Sequence, residues 1–347
     1  MKVGIVGLPG AGKTSVFTTL TGVSPDPAAA AGRQTLGVAR ARDPRLDRLH
    51  AMFPREKAVH VELTFADVAG AGGRRSLDRS VLVSMRDFDA LAQVLRGFAA
   101  PGTDPPDPVR EMRDLDAELV LADLDVVDRK DARLRKGEKQ TFAGEKEQIA
   151  GLKEILDAGT PLRDAGLADE RRGNLSGYAF LSLKPVLYVL NVEESRVADP
   201  AQPEVAAAAR ERRAGLVVVS GEVERQIAEL DETERAGFMA DLGLSGPASA
   251  RFAAAAFAAL DLVTFFTIGD HEVRAWTVRR GTNAQAAAGK IHTDMERGFI
   301  RADVIRFEDM QALGSEARCR EAGKLRVEGK TYIVQDGDIL HVRFGKG

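Results

Sequence analysis

Gly7-Leu-Pro-Gly-Ala-Gly-Lys-Thr14 lies directly behind an apolar run, Lys2-Val-Gly-Ile-Val6, and directly ahead of Ser15-Val-Phe-Thr-Thr-Leu20. The order strand, glycine-rich loop, helix decides the fold, because it builds a cradle for phosphate. Gly7 and Gly12 let the backbone curl into a nest whose N–H groups face anionic oxygens, with Gly10, Ala11 and Ser15 as further candidates for the cradle. Lys13 reaches the β- and γ-phosphates, and the Thr14 hydroxyl is placed to ligate Mg²⁺. The dipole of the following helix favours the negative charge. A glycine-rich turn that binds nothing is the other reading, and it gives no reason for the flanking strand and helix.

The chain has 347 residues, 44% hydrophobic and 29% charged, enough for two or three globular domains. A formal net charge of −3 provides no global positive field, so any RNA contact must come from a local patch. The one cysteine, Cys319, excludes an internal disulfide framework and fits a reducing cytoplasm; among Arg318, Arg320 and Glu321 it reads as a solvated or half-buried thiol. The sequence starts straight into a strand without a secretory leader, and its longest apolar stretch, 253–266, is broken by Asp261 and too short for a bilayer. The expectation is a cytoplasmic monomer with no membrane and no specific DNA partner.

Strand-like and helix-like segments alternate to about residue 100. Val59-His-Val-Glu-Leu-Thr-Phe65 alternates as one half-buried strand, and Ala90-Leu-Ala-Gln-Val-Leu95 reads as another. Pro101-Gly-Thr-Asp-Pro-Pro-Asp-Pro108 then ends regular structure. From Val109 to about Asp169, Leu115, Leu119, Leu121, Leu124 and Val127 recur among dense charges, which predicts long amphipathic helices; residues 130–153 suit a protruding hairpin or a solvated face. Pro185-Val-Leu-Tyr-Val-Leu190 and Gly215-Leu-Val-Val-Val-Ser220 are buried parallel strands, so the helical segment interrupts one sheet. After an Ala-rich helix, 248–260, short strands follow: one through Val273, Ala275, Thr277 and Val278, then Thr331–Val334 and Ile339–Phe344 around a turn at Gln335-Asp-Gly-Asp338.

Two further elements bear chemistry. Asp67-Val-Ala-Gly70 puts a carboxylate at a strand end, where it holds a Mg²⁺-bound water, and a Gly70 N–H that approaches the γ-phosphate. Asn191-Val-Glu-Glu194 follows a buried strand, where GTPases carry Asn-Lys-x-Asp to read guanine. Here Val192 has no stem to cover a base, and Glu194 is longer than the Asp, which favours adenine. An N-cap by Asn191 looks the same locally. Ser220 and Gly221 are candidates for backbone contacts to the base. His292 reads as structural, Trp276 as core or a docking surface. Arg274, Arg279, Arg280, Lys290, Arg297 and Arg301 form either an RNA-phosphate patch or a solvated face.

Together these elements resemble the Obg-like ATPase (YchF) family of P-loop NTPases, over nearly the whole chain. The phosphate loop, Asp67–Gly70, Asp43-Pro-Arg-Leu-Asp47, Ala122-Asp-Leu-Asp125 and Asn191-x-x-Glu194 carry the likeness. So do Glu272-Val-Arg-Ala-Trp-Thr277, Ala288-Gly-Lys-Ile-His-Thr-Asp294, Gly298-Phe-Ile-Arg-Ala302 and Gly329–Asp338. The resemblance implies a C-terminal TGS domain of ubiquitin-like β-grasp fold, ATP preferred over GTP, and work on the ribosome in translation or stress regulation. The chain also departs from the family. Gly10-Ala11 stands where the family has Asn-Val, removing a side chain that ligates potassium in related enzymes. The first switch, 28–35, is short, leaving Thr35 either the second Mg²⁺ ligand or an ordinary loop residue; the second switch, 71–76, is short too. Ala71 occupies the position of the water-orienting Gln of Ras-like enzymes, and residues 99–109 lack the family's histidine, so hydrolysis is expected to be slow.

The expected architecture is α/β: a P-loop nucleotide-binding domain (1–108 and 180–263), an inserted helical arm (109–179) and the TGS module (264–347). Mg²⁺ and ATP are the expected ligands and the ribosome the expected partner, with Lys13 as the catalytic side chain. A GTPase of the same fold, or a paralogue that binds nucleotide without turnover, are the alternatives.

Overall fold

The computed structural model describes residues 1–25, 34–54, 56–68, 77–100, 102, 104–244, 246–269 and 271–345. Gly70, the second switch 71–76 and residues 28–33 of the first switch lie outside them. The chain divides into two compact units: 1–39 with 63–259, and 40–62 with 260–347. The α/β class expected from the sequence is the class observed.

The first unit is built on a six-stranded sheet. Its strands are β1 (Lys2–Val6), β2 (Gln34–Ala41), β4 (Val61–Val68), β5 (Ala90–Arg96), β6 (Val186–Asn191) and β7 (Gly215–Val219), in the order β2-β4-β1-β5-β6-β7. β1 pairs in parallel with β4 and β5, as do β5 with β6 and β6 with β7. β5 and β6 are neighbours although the long helices lie between them in sequence. All six residues of β6 are buried, as expected of a central parallel strand covered on both faces. The Pro108–Arg135 helix begins with Asp107 as cap, its carboxylate accepting the Arg110 N–H at 3.0 Å, and with Pro108 where no N–H is needed. Met112, Leu115 and Leu119 of this helix join Leu91, Leu95 and Tyr188 in the core.

Farther along, the same helix pairs with Glu145–Asp157. Val120, Val127, Leu134, Ile149, Leu152 and Leu156 form a separate apolar cluster. The 130–153 stretch is therefore more than a solvated face. Lys130 is buried there, 2.7 Å from Glu138 and 3.3 Å from Glu145.

The second unit also holds a six-stranded sheet, of β3 (Lys57–Val59), β8 (Leu262–Ile268), β9 (Glu272–Arg279), β10 (Phe299–Arg306), β11 (Arg326–Glu328) and β12 (Asp338–Phe344). The order is β11-β10-β12-β8-β9-β3. β12 runs parallel to β8, while β8–β9 and β10–β12 are antiparallel. The Ala284–Ile291 helix, capped by Asn283, buries Ala284, Ala287 and Ala288 with Phe265, Val304 and Leu340; the small side chains let the helix lie close to the sheet.

Two strand expectations are corrected. Residues 59–65 are not one strand. β3 ends at Val59 and β4 begins at Val61, and β3 joins the second sheet beside β9. Thr331–Val334 is no strand either. Its backbone bonds go to the start of the neighbouring helix instead: Ala284 N–H to Tyr332 O at 2.7 Å, Val334 N–H to Thr282 O at 3.0 Å, with a lone bridge from Ile333 to Asn283. Cys319 is fully buried.

Candidate nucleotide-binding site

The 7–14 loop connects β1 to the Lys13–Thr21 helix, and Gly7, Gly10 and Gly12 all take positive φ. Two of these glycines are also forced by space. A Cβ on Gly7 would lie 2.5 Å from the Val94 carbonyl oxygen, and one on Gly12 would lie 2.2 Å from the Asn191 amide nitrogen. Lys13 donates to the Leu8 carbonyl at 3.0 Å, across the loop it serves. Burial pulls its ammonium below the usual lysine range, and the charges of Asp67 and Glu111 oppose this.

The register of β1 on β4 pairs Ile5 with Asp67, which brings the buried Asp67 carboxylate to the loop. The Thr14 hydroxyl donates to Asp67 Oδ2 at 3.2 Å. Burial pushes the Asp67 pKa up, against the Thr14 hydrogen bond and the Lys13 charge. One hydroxyl and one carboxylate in contact are hard oxygen donors, which fit a Mg²⁺ that keeps most of its waters. Thr35 lies in β2, and no hydrogen bond among the described residues joins it to Thr14 or Asp67.

Asn191, at the end of β6, is buried and ties two loops together. Its Nδ2 donates to the Ala11 carbonyl at 3.1 Å, and its Oδ1 accepts the Gly221 N–H at 3.1 Å. It does not cap a helix: Glu193 occupies the cap of the following 3-10 turn. Ser220 caps the Gly221–Glu229 helix through the Val223 N–H at 3.4 Å, and Gly221 lies beside Ser15. Glu194 is exposed, 3.5 Å from the Gln226 amide. Val192 is buried in the core and has nothing to lay over a base. Lys13, Thr14, Ser15, Asp67, Asn191, Ser220 and Gly221 thus converge. His292 is structural, accepting the Asp294 N–H at 3.1 Å as a helix cap, and Trp276 is half-buried, stacked near Phe265.

The sequence did not mark Glu111 and Gln93 as neighbours of the loop, which both are, buried beside Gly7 and Leu8. Glu111 is one acid among many in a charged helix, and only the packing of that helix on β5 buries it to 7% exposure beside the loop. The one available signal was its position in the first turn after an Asp-Pro cap.

The family profile YchF-GTPase_C, described as "Protein of unknown function (DUF933)", matches residues 262–345. The chain is 36% identical to the "Ribosome-binding ATPase YchF" of Bacillus subtilis and 39% identical to that of Haemophilus influenzae, covering 99% of both chains in each case. It is 34% identical to "Obg-like ATPase 1" of Oryza sativa, over 99% of this chain and 92% of that one. The solved structure of the Schizosaccharomyces pombe YchF GTPase is similar, with TM-score 0.84 at 27% identity, covering 99% of this chain and 97% of that chain. The chain belongs to the YchF/Obg-like ATPase family of P-loop NTPases.

Proposed function

We propose that the protein is a Mg²⁺-dependent nucleotide switch that prefers ATP, hydrolyses it slowly to ADP and phosphate, and acts on the ribosome in the cytoplasm. The observation that carries this reading is the Thr14–Asp67 contact of 3.2 Å beside the Lys13 loop, a metal-ligand pair next to a phosphate cradle. Lys13 and the loop N–H groups, with Gly70, hold phosphate; Thr14 and Asp67 hold the metal. A Mg²⁺ held there would neutralise phosphate charge. Adenine preference is supported by Val192 and Glu194, which supply neither the stem nor the short carboxylate of a guanine site. Relatives of this chain are named ribosome-binding ATPases, which supports the partner.

The domain assignment belongs to the same proposal: a nucleotide-binding domain, a helical arm over 109–179 and a TGS module from 264. The module's β-grasp reading is supported by the Ala284–Ile291 helix packed on a sheet with parallel β8 and β12. Competition between ATP and GTP at equal concentration tests the base preference. ATP is expected to win, and a tenfold tighter GTP contradicts it.

A further inference from the structure

We propose that Glu111, with Gln93, holds the water that attacks the terminal phosphate, a role that rests on the hydrolytic function proposed above. Glu111 is fixed on both sides. Its Oε2 accepts the Arg96 N–H at 3.0 Å, and its own carbonyl accepts from Gln93 Nε2 at 2.7 Å. Glu111 lines a cavity of about 470 Å³ that Leu8, Pro9 and Gly10 of the phosphate loop also line. An adjoining recess of about 20 Å³, bordered by Gly7, Leu8, Gln93 and Glu111, has room for one water.

Gln93 Oε1 is buried there and has no hydrogen-bond partner among the described residues, so the recess holds an acceptor that needs a donor. A water that donates one proton to Gln93 and the other to Glu111 keeps its lone pairs for phosphorus. Lys13, which reaches the β- and γ-phosphates, feels the Glu111 charge. Ala71, at the position of the Ras water-orienting Gln, has no polar side chain for this task.

In the reaction the water oxygen bonds to the γ-phosphorus. The bond from that phosphorus to the β,γ-bridging oxygen breaks, and its electron pair leaves with ADP. The water proton passes to Glu111 and from there to solvent. The carboxyl is suited to this, because burial pushes its pKa up to about 6. The Arg96 N–H and charge hold it down, and Asp107 and Asp114 push it further up.

The test compares wild type, Glu111→Gln and Glu111→Asp in single-turnover ATP hydrolysis and ADP binding across pH 5 to 8. Glutamine keeps an acceptor for the Arg96 N–H but cannot take a proton. Glu111→Gln is expected to lose at least about 100-fold in hydrolysis with ADP affinity little changed, and to lose the acid limb near pH 6. Glu111→Asp is expected to retain that limb at a reduced rate. Wild-type turnover with an unaltered Glu111→Gln rate and pH profile overturns the Glu111 role alone. So does a Glu111→Gln protein that loses ADP binding together with hydrolysis. A wild type without Mg²⁺-dependent turnover overturns the hydrolytic function and this role with it.

Discussion

Asn191 fastens two loops with one side chain, holding the Ala11 carbonyl and the Gly221 N–H on opposite atoms of its amide. Replacing it by Ala strands both groups in a buried place, at a cost of about 1–3 kcal/mol, and frees the phosphate loop. Asn191→Ala is therefore expected to lower both the urea midpoint and nucleotide affinity; unchanged affinity would separate the loop from this tie. Glu111 makes an opposite prediction. Its folded pKa of about 6 stands above the ordinary value of 4.5. The group thus costs nothing below pH 4.5, and its burial costs stability as pH rises through 6. The full shift corresponds to about 2 kcal/mol. Glu111→Gln is expected to be more stable than wild type at pH 8 and not at pH 4.5, measured by urea unfolding at both. The roles of these residues differed in legibility. The meeting of Lys13, Thr14 and Asp67 at the loop was legible, because the proposed phosphate and Mg²⁺ chemistry calls for those residue types at those places. The tie that Asn191 makes between two loops was neither of the readings its sequence offered, and the burial of Glu111 was not legible, because helix packing rather than local sequence buries it.

The helical hairpin shows what an element needs beyond its apolar stripe. Lys130 is enclosed by Glu138 and Glu145, and Glu145 also accepts the Thr141 N–H at 2.8 Å and the Tyr178 hydroxyl. Lys130→Met leaves Glu145 buried with its two hydrogen bonds but without a counter-charge, a loss of up to about 3–5 kcal/mol. Hydrogen exchange is expected to rise across 130–178 and to stay unchanged in β5 and β6; uniform destabilisation would contradict a separately cored hairpin. Burial works against the Glu145 charge, but its hydrogen bonds and Lys130 outweigh it and hold the pKa below the usual 4.5. The stabilisation is therefore complete above pH 4.5 and fades as pH falls below it. The strand errors have a common physical source. The alternation of residues 59–65 continues across His60, where the chain passes from β3 in one sheet to β4 in another, and a two-residue period carries no record of which sheet is paired. At 331–334 a strand-like composition spends its backbone bonds on a helix start instead.

At the scale of the molecule, the expectation that one sheet resumes after a helical insertion matches the pairing of β5 with β6, whereas the order of the strands was not legible. Nor was the recruitment of residues 40–62 to the second unit, since nothing local marks it. The basic residues of that unit are also sorted by structure. Arg274 pairs with Glu272 and Arg280 with Asp261, whereas Arg279, Lys290 and Arg297 have no ion-pair partner among the described residues. If ribosomal RNA is the partner, replacing these three by Ala weakens co-sedimentation and reduces its salt dependence by up to about one unit of slope per lost phosphate contact. Unchanged salt dependence assigns them to a solvated face. The decisive measurement is ATP hydrolysis with and without Mg²⁺, for wild type and Lys13→Ala, in the presence and absence of ribosomes. Slow, Mg²⁺-dependent turnover by wild type that Lys13→Ala abolishes is expected of a P-loop nucleotide switch. Turnover that survives Lys13→Ala, or none by wild type under any of these conditions, contradicts that reading.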